Sequence, residues 1–141
     1  MKISLASTDA EIAACYPVIR ELRPHLPEET FVARVRSQQQ YGYLLAFRQE
    51  MDMPVAAAGF RIGQSLSWGR YLYVDDLVTL STHRSRGHGA ALLSWLESFA
   101  VEHNCVQLHF GSGFQRKDAH RFYEREGFES VAYHFHKVLV P

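Results

Sequence analysis

Leu80-Ser81-Thr82-His83-Arg84-Ser85-Arg86-Gly87-His88-Gly89-Ala90-Ala91-Leu92-Leu93 decides how this chain is read. A β-prone run ends at Leu80, a short polar segment follows, and Arg84-x-x-Gly87-x-Gly89 opens an apolar helix. The first turn of a helix presents N–H groups without intrahelical partners at the positive end of the macrodipole, which suits a phosphate. Glycines at alternate positions let a bulky group approach the backbone where a Cβ would obstruct it. Arg84 and Arg86 can add charge-assisted bonds. The pattern is no Walker loop, because no Gly-Lys-Ser/Thr follows. It also fits a dinucleotide fingerprint badly, since Leu92 stands where the third small residue belongs. On the local pattern alone, a phosphate cradle and a purely structural glycine-rich helix entry both stay open.

Downstream, Leu92, Leu93, Trp95, Leu96 and Phe99 recur at helical spacing through about His103. A strand is expected over 106–110, a helix over 116–126 stopped by Gly127, and a final strand over 128–140. Upstream, 70–80 is the most β-prone stretch, yet it carries Asp75 and Asp76 where a buried strand should be apolar. Such a conflict marks a candidate site. Strands over 43–47 and 55–62 flank the polar turn 49–52 and read as a hairpin. Ile3 and Leu5 suggest a first strand. Thr8 and Glu11 form a capping box, and Ile12, Tyr16, Ile19 and Leu22 continue one helix toward Pro24. A second helix over 28–40 enters through Pro27, turns Phe31, Val32 and Val35 inward, and ends at Gly42. The order β-α-α-β-β-β-α-β-α-β predicts an α+β fold with helices enclosing a mixed sheet.

The 141 residues, 47% of them hydrophobic and 21% charged, are enough for one ordered domain spanning 1–141. The formal net charge of +0 supplies no global field toward nucleic acid or anionic membrane, so neither is an expected partner. The opening segment meets Asp9 before any long apolar run, which predicts no secretory signal, and no apolar stretch is long enough to span a bilayer. A cytoplasmic location is the expectation. Cys15 and Cys105 lack the spacing of a zinc or redox pair and read as reduced core thiols.

Three segments together resemble the GNAT superfamily of acyl-CoA-dependent N-acyltransferases: Val74-Asp75-Asp76-Leu77-Val78-Thr79, then Arg84-x-x-Gly87-x-Gly89-Ala90-x-Leu92-Leu93, then Ala119-His120-Arg121-Phe122-Tyr123-x-x-x-Gly127-Phe128. They stand in the family's order and spacing, and the likeness covers nearly the whole chain. It implies α/β/α layers, with a mixed, mostly antiparallel sheet of six to seven strands flanked by about four helices. It further implies a bulge in the strand before the glycine segment and a V-shaped gap beside it. Backbone groups of Leu77, Val78 and Thr79 would pair there with the pantetheine arm of acetyl-CoA, and the amides of Arg84, Ser85, Arg86, Gly87, His88, Gly89 and Ala90 would hold its pyrophosphate. Many relatives place Asn six residues before the Phe-Tyr pair to touch the cofactor arm; this chain has Arg116 there, and Ala119 falls in the same stretch.

The resemblance also implies direct attack of a primary amine on the thioester. An amide near Val78 is the expected donor to the charge that develops on the carbonyl oxygen, and one such donor is worth about 2.7–4 kcal/mol. Tyr123 matches the tyrosine that faces the sulfur, where a general acid contributes roughly 10²–10⁴-fold. Asp75 and Asp76 stand where relatives carry an acid that accepts the amine proton. Strand neighbours point to opposite faces, so only one of the two is expected to line the acceptor side, with Asp75 preferred.

Among the eight histidines no ligand spacing appears, so no metal is expected; His134 and His136 read as a surface pair or an acceptor contact. The acceptor, a small molecule or a protein, stays undefined, because the charges of the first two helices are mixed. Dimerisation is common among relatives, and a homodimer stays open. Two other classes remain beside the transferase: a catalytically silent acyl-CoA-binding module and a nucleotide-binding protein.

Overall fold

The computed structural model describes residues 2–140. It divides into two compact units, one reaching Phe110 and one beginning at Gly111. The first unit contains β1 (Ile3–Leu5), α1 (Asp9–Ala14), α2 (Tyr16–Leu22), α3 (Glu28–Gln39), β2 (Leu44–Glu50), β3 (Met53–Ser65), β4 (Gly69–Thr79), α4 (His88–Glu102) and β5 (Gln107–Phe110). The second contains α5 (Lys117–Arg125).

Among the described residues the sheet has five strands in the order β1-β2-β3-β4-β5, antiparallel at every step except the parallel pairing of β4 with β5. This is a GNAT-like α+β arrangement with fewer strands than the six to seven expected from the sequence. The missing strand is the one expected over 128–140. That segment forms no strand, and Val131, Tyr133, Phe135, Val138, Leu139 and Val140 are exposed. Its alternating pattern satisfies only half of the requirement. A strand exists by pairing, and among its described residues the second unit offers α5 but no other strand to pair with.

The helix expected from Thr8 toward Pro24 is two helices, which raises the helix count from about four to five among the described residues. Thr8 caps the first through the anticipated capping box with Glu11. Pro17, in the first turn of α2, has no N–H to return to the carbonyl four residues back, so the ladder breaks at Cys15. Gly42, at φ 91, takes the left-handed conformation that turns the chain out of α3 into β2. The hairpin turn is tighter than expected, with Met51 and Asp52 at φ 52 and 62 between the paired residues Glu50 and Met53.

Two apolar layers sandwich this sheet. On one face Ile12, Val18, Ile19, Phe31 and Val35 of the first three helices pack with Tyr43, Leu45, Phe47, Ala57 and Val78. On the other, Phe60 meets Trp95 and Phe99 of α4 edge-on, at centroid distances of 6.0 and 5.1 Å. Leu92, Leu93 and Leu96 are buried, as the helical period from the glycine segment predicted. Cys15 and Cys105 are both free and buried, and burial pushes the Cys15 thiol up to about 12.

Candidate active site

The site begins with a defect in β4. Gly59 pairs with Asp76 and Phe60 with Val74, which leaves Asp75 as one extra residue opposite β3. This is the bulge that the family resemblance implied, and a bulge bends its strand and re-aims side chains. β5 accompanies β4 only from Tyr71 to Val74. From Asp75 to Thr79, the stretch carrying Leu77, Val78 and Thr79, β4 has no strand beside it on that edge among the described residues.

Because of the bulge, both acids face the side of α1–α3. Tyr73 and Asp76 oppose Arg61 and Gly59, which lie on that face, and Asp75 stands between them with its carboxylate on Arg61. The expectation that strand alternation would separate Asp75 from Asp76 therefore fails, because the bulge interrupts the two-residue period. Their partners differ. Asp76 Oδ1 accepts from Arg23 Nε at 2.9 Å and Oδ2 from the Tyr43 hydroxyl at 2.8 Å. Arg23 Nη2 also donates to the Asp75 carbonyl at 3.0 Å, so one guanidinium grips the bulge twice. Asp75 Oδ2 accepts from Arg61 Nε at 2.8 Å, and Oδ1 has no hydrogen-bond partner among the described residues. Burial pushes the Tyr43 phenol far up, followed by the charge of Asp76, so it stays a donor. Gly59 makes this packing possible, since a Cβ there would stand 1.8 Å from the Tyr43 oxygen.

The strand then runs into the glycine segment. A 3-10 turn, Ser81–His83, is tied to α2 by Ser81 N–H donating to Glu21 at 2.9 Å. Ser85 and Gly87 take positive φ, 63 and 81, and Gly87 is the N-cap of α4 with no side chain capping the amides behind it. The first intrahelical bond is Ala91 N–H to the Gly87 carbonyl at 3.0 Å. The amides of His88, Gly89 and Ala90 precede it. A Cβ added at Gly87 would meet nothing within 4 Å. An uncapped helix start beside open space is what a phosphate-bearing group requires.

Beneath the segment lies a polar support that the sequence reading missed. His88 was expected to contribute its amide; its ring is turned inward, 2% exposed, with Nε2 3.4 Å from Glu50 Oε2. Burial, then the charge of Arg48, holds this imidazole below its usual range. Arg48 Nη1 donates to the Gly87 carbonyl at 3.3 Å, and Arg86 reaches Glu50 at 3.6 Å, so Arg86 is partly engaged within the protein. Arg23, Tyr43, Arg48, Glu50 and Arg61 carry no motif. Polar residues in otherwise apolar strands could have signalled Arg48, Glu50 and Arg61; Arg23, at the end of α2, and Tyr43, just before β2, give no local signal.

Arg116, Ala119 and Tyr123 lie in the second unit. Arg116 is the N-cap of α5, and Tyr123 stands beside Phe122 at a ring-centroid distance of 5.5 Å. Burial raises the Tyr123 phenol, against a smaller opposing effect of Arg116. Asp118 and Arg121 form an ion pair on the same helix.

The chain belongs to the acetyltransferase (GNAT) family, whose model matches residues 6–128. It is thus an acyl-CoA-dependent acetyltransferase. It is 36% identical over 131 residues, 92% of each protein, to an uncharacterized N-acetyltransferase of Bacillus subtilis, YhdJ. Over 66 residues, 47% of this chain and 43% of the relative, it is 35% identical to the aminoalkylphosphonate N-acetyltransferase of Salmonella typhimurium. The fold also matches a GNAT family acetyltransferase of Staphylococcus aureus, with a TM-score of 0.82, 19% identity and 98% of each chain covered. Among the described residues no helix is long and apolar enough to cross a membrane.

Proposed function

We propose that this protein moves an acetyl group from acetyl-CoA to a primary amine of a small-molecule or protein acceptor by direct attack, in the cytoplasm, as a single domain over 1–141. The observation that carries the reading is the continuity of two features: the edge of β4 left open from Asp75 to Thr79, and the uncapped start of α4 that follows it. In this reading Leu77, Val78 and Thr79 offer backbone groups to the pantetheine arm. The amides of Arg84 to Ala90 hold the pyrophosphate, with Arg84 adding charge, and Arg116 and Ala119 meet the cofactor arm. Bound there, acetyl-CoA supplies the thioester carbon that the amine attacks.

The balance of the transfer assigns the side chains. Starting from the free amine, which a protonated acceptor reaches by giving one proton to solvent, a C–N bond forms, the C–S bond breaks, one proton leaves the nitrogen and one reaches the sulfur. Asp75 takes the first through its free Oδ1, directly or through water. Asp76 serves as an anchor, since an incoming proton would have to displace Arg23 or Tyr43. Tyr123 delivers the second; its phenol is protonated at neutral pH, the form from which a proton donor starts. Thiol release from acetyl-CoA, followed with and without a panel of amines, tests the reading. Amine-dependent release supports it. Binding of CoA with no release under any amine would make the protein a silent acyl-CoA module.

A further inference from the structure

The bulge presents two opposite charges side by side, and each has one arm left over. Arg61 Nε donates to Asp75 Oδ2 at 2.8 Å and Nη2 donates to Gln38 Oε1 at 3.0 Å. Its guanidinium carbon lies 5.5 Å from the centre of the Tyr43 ring, so a hydrogen-bonded amide and an aromatic face fix its plane. Nη1 of Arg61 and Oδ1 of Asp75 have no hydrogen-bond partner among the described residues, and both side chains remain about a third exposed, at 33% and 28%. The unused positions are the second arms of two groups already in contact. A short ligand with a cation at one end and an anion at the other can therefore bridge the two groups.

We propose that Arg61 selects the acceptor, and that the preferred acceptor is a small zwitterion: a primary amine joined through one or two carbons to a carboxylate or phosphonate. This rests on the transferase reading and deepens it. The amine approaches Asp75 Oδ1, and the acid group binds Arg61 Nη1. Arg23, Arg61, Asp75 and Asp76 together sum to zero charge, so the bulge has no net field to attract a polyamine. A second ammonium near Asp75 would meet the fixed guanidinium of Arg61, and like charges at such range repel. A zwitterion satisfies both free arms at once.

The experiment compares kcat/KM for glycine, β-alanine and 2-aminoethylphosphonate with that for ethylamine and spermidine, in the wild-type protein and in Arg61→Met and Arg61→Lys. One charge-assisted hydrogen bond converts to about 10- to 100-fold in affinity. The wild type is expected to favour zwitterions over ethylamine by at least about that factor. Arg61→Met should erase the preference mainly through KM for the acceptor, with CoA affinity unchanged, and Arg61→Lys should restore part of it. The carboxylate and phosphonate arms show which acid group is preferred. Ethylamine or spermidine serving equally well, or a preference that survives in Arg61→Met, overturns the assignment while leaving the transferase reading standing. No thiol release with any amine overturns both. Should Arg61→Met fail to fold, the wild-type ranking decides alone.

Discussion

Removing the carboxylate of Asp76 should destabilise the protein far more than it impairs the chemistry. The side chain is 15% exposed and holds two donors, Arg23 at 2.9 Å and the Tyr43 hydroxyl at 2.8 Å. In Asp76→Ala the Tyr43 hydroxyl, on a residue only 6% exposed, loses its acceptor; an unsatisfied buried polar group costs about 1–3 kcal/mol. Arg23 is 42% exposed, so water replaces much of its lost pairing and the added cost is about 0–1 kcal/mol. The sum, centred near 2–3 kcal/mol, corresponds to a fall in Tm of roughly 6–12 °C for a chain of this size. Asp76→Asn keeps an oxygen for Tyr43 and should lose only about 2–4 °C. Adding Tyr43→Phe to Asp76→Ala removes the orphaned hydroxyl and should recover part of the loss, giving a coupling that a double-mutant cycle reads. Calorimetry of wild type, Asp76→Ala, Asp76→Asn, Tyr43→Phe and the double variant, with thiol release measured for these and for Asp75→Asn, is the assay. Asp76→Asn should keep kcat/KM within a few-fold, whereas Asp75→Asn should lose roughly 10²-fold or more. An Asp76→Ala protein as stable as wild type, or equal activity losses in the two Asn variants, would refute the division between anchor and proton acceptor.

Gly87→Val should weaken CoA binding strongly in titration calorimetry, because it combines a side chain in the open space above the helix start with left-handed strain of about 1–2 kcal/mol; unchanged affinity would displace the cradle. Tyr123→Phe should lower kcat by roughly 10²-fold or more with CoA affinity nearly unchanged, and an unaltered rate would make Tyr123 a packing residue. The imidazole of His88 is held below its unfolded pKa of about 6.5, so the unfolded chain binds the extra proton first. The stability gained by keeping the ring neutral is therefore present above that pH and is lost as pH falls toward the folded value. The drop in Tm between pH 7.5 and 5.5 should be smaller in His88→Phe than in wild type, and equal drops would show that the buried ring does not contribute.

Residues close in sequence carried most of what could be read in advance. The capping box at Thr8, the helix after Gly87 with Leu92, Leu93 and Leu96 inward, and the acids breaking an apolar strand all depend on neighbours within a turn or a pleat, and the structure holds each of them. The glycine segment and the two flanking motifs pointed to the family for the same reason, since a helix start and a bulge need particular residues at fixed spacing. Local pattern failed where a partner was required. The alternation over 128–140 could not show that no strand stands beside it in its unit, and the helical period through Cys15 did not weigh Pro17 against the ladder.

The sequence alone therefore determined the class of fold, the helix start expected to meet phosphate, and the candidate acids. Only tertiary structure decided what each acid does. Strand pairing created the bulge that put Asp75 and Asp76 on one face. Arg23, Tyr43 and Arg61, distant in the chain, then took up both oxygens of Asp76 and one of Asp75. A carboxylate's role depends on which of its lone pairs are already occupied, and those occupants arrive by folding from positions that no local pattern links.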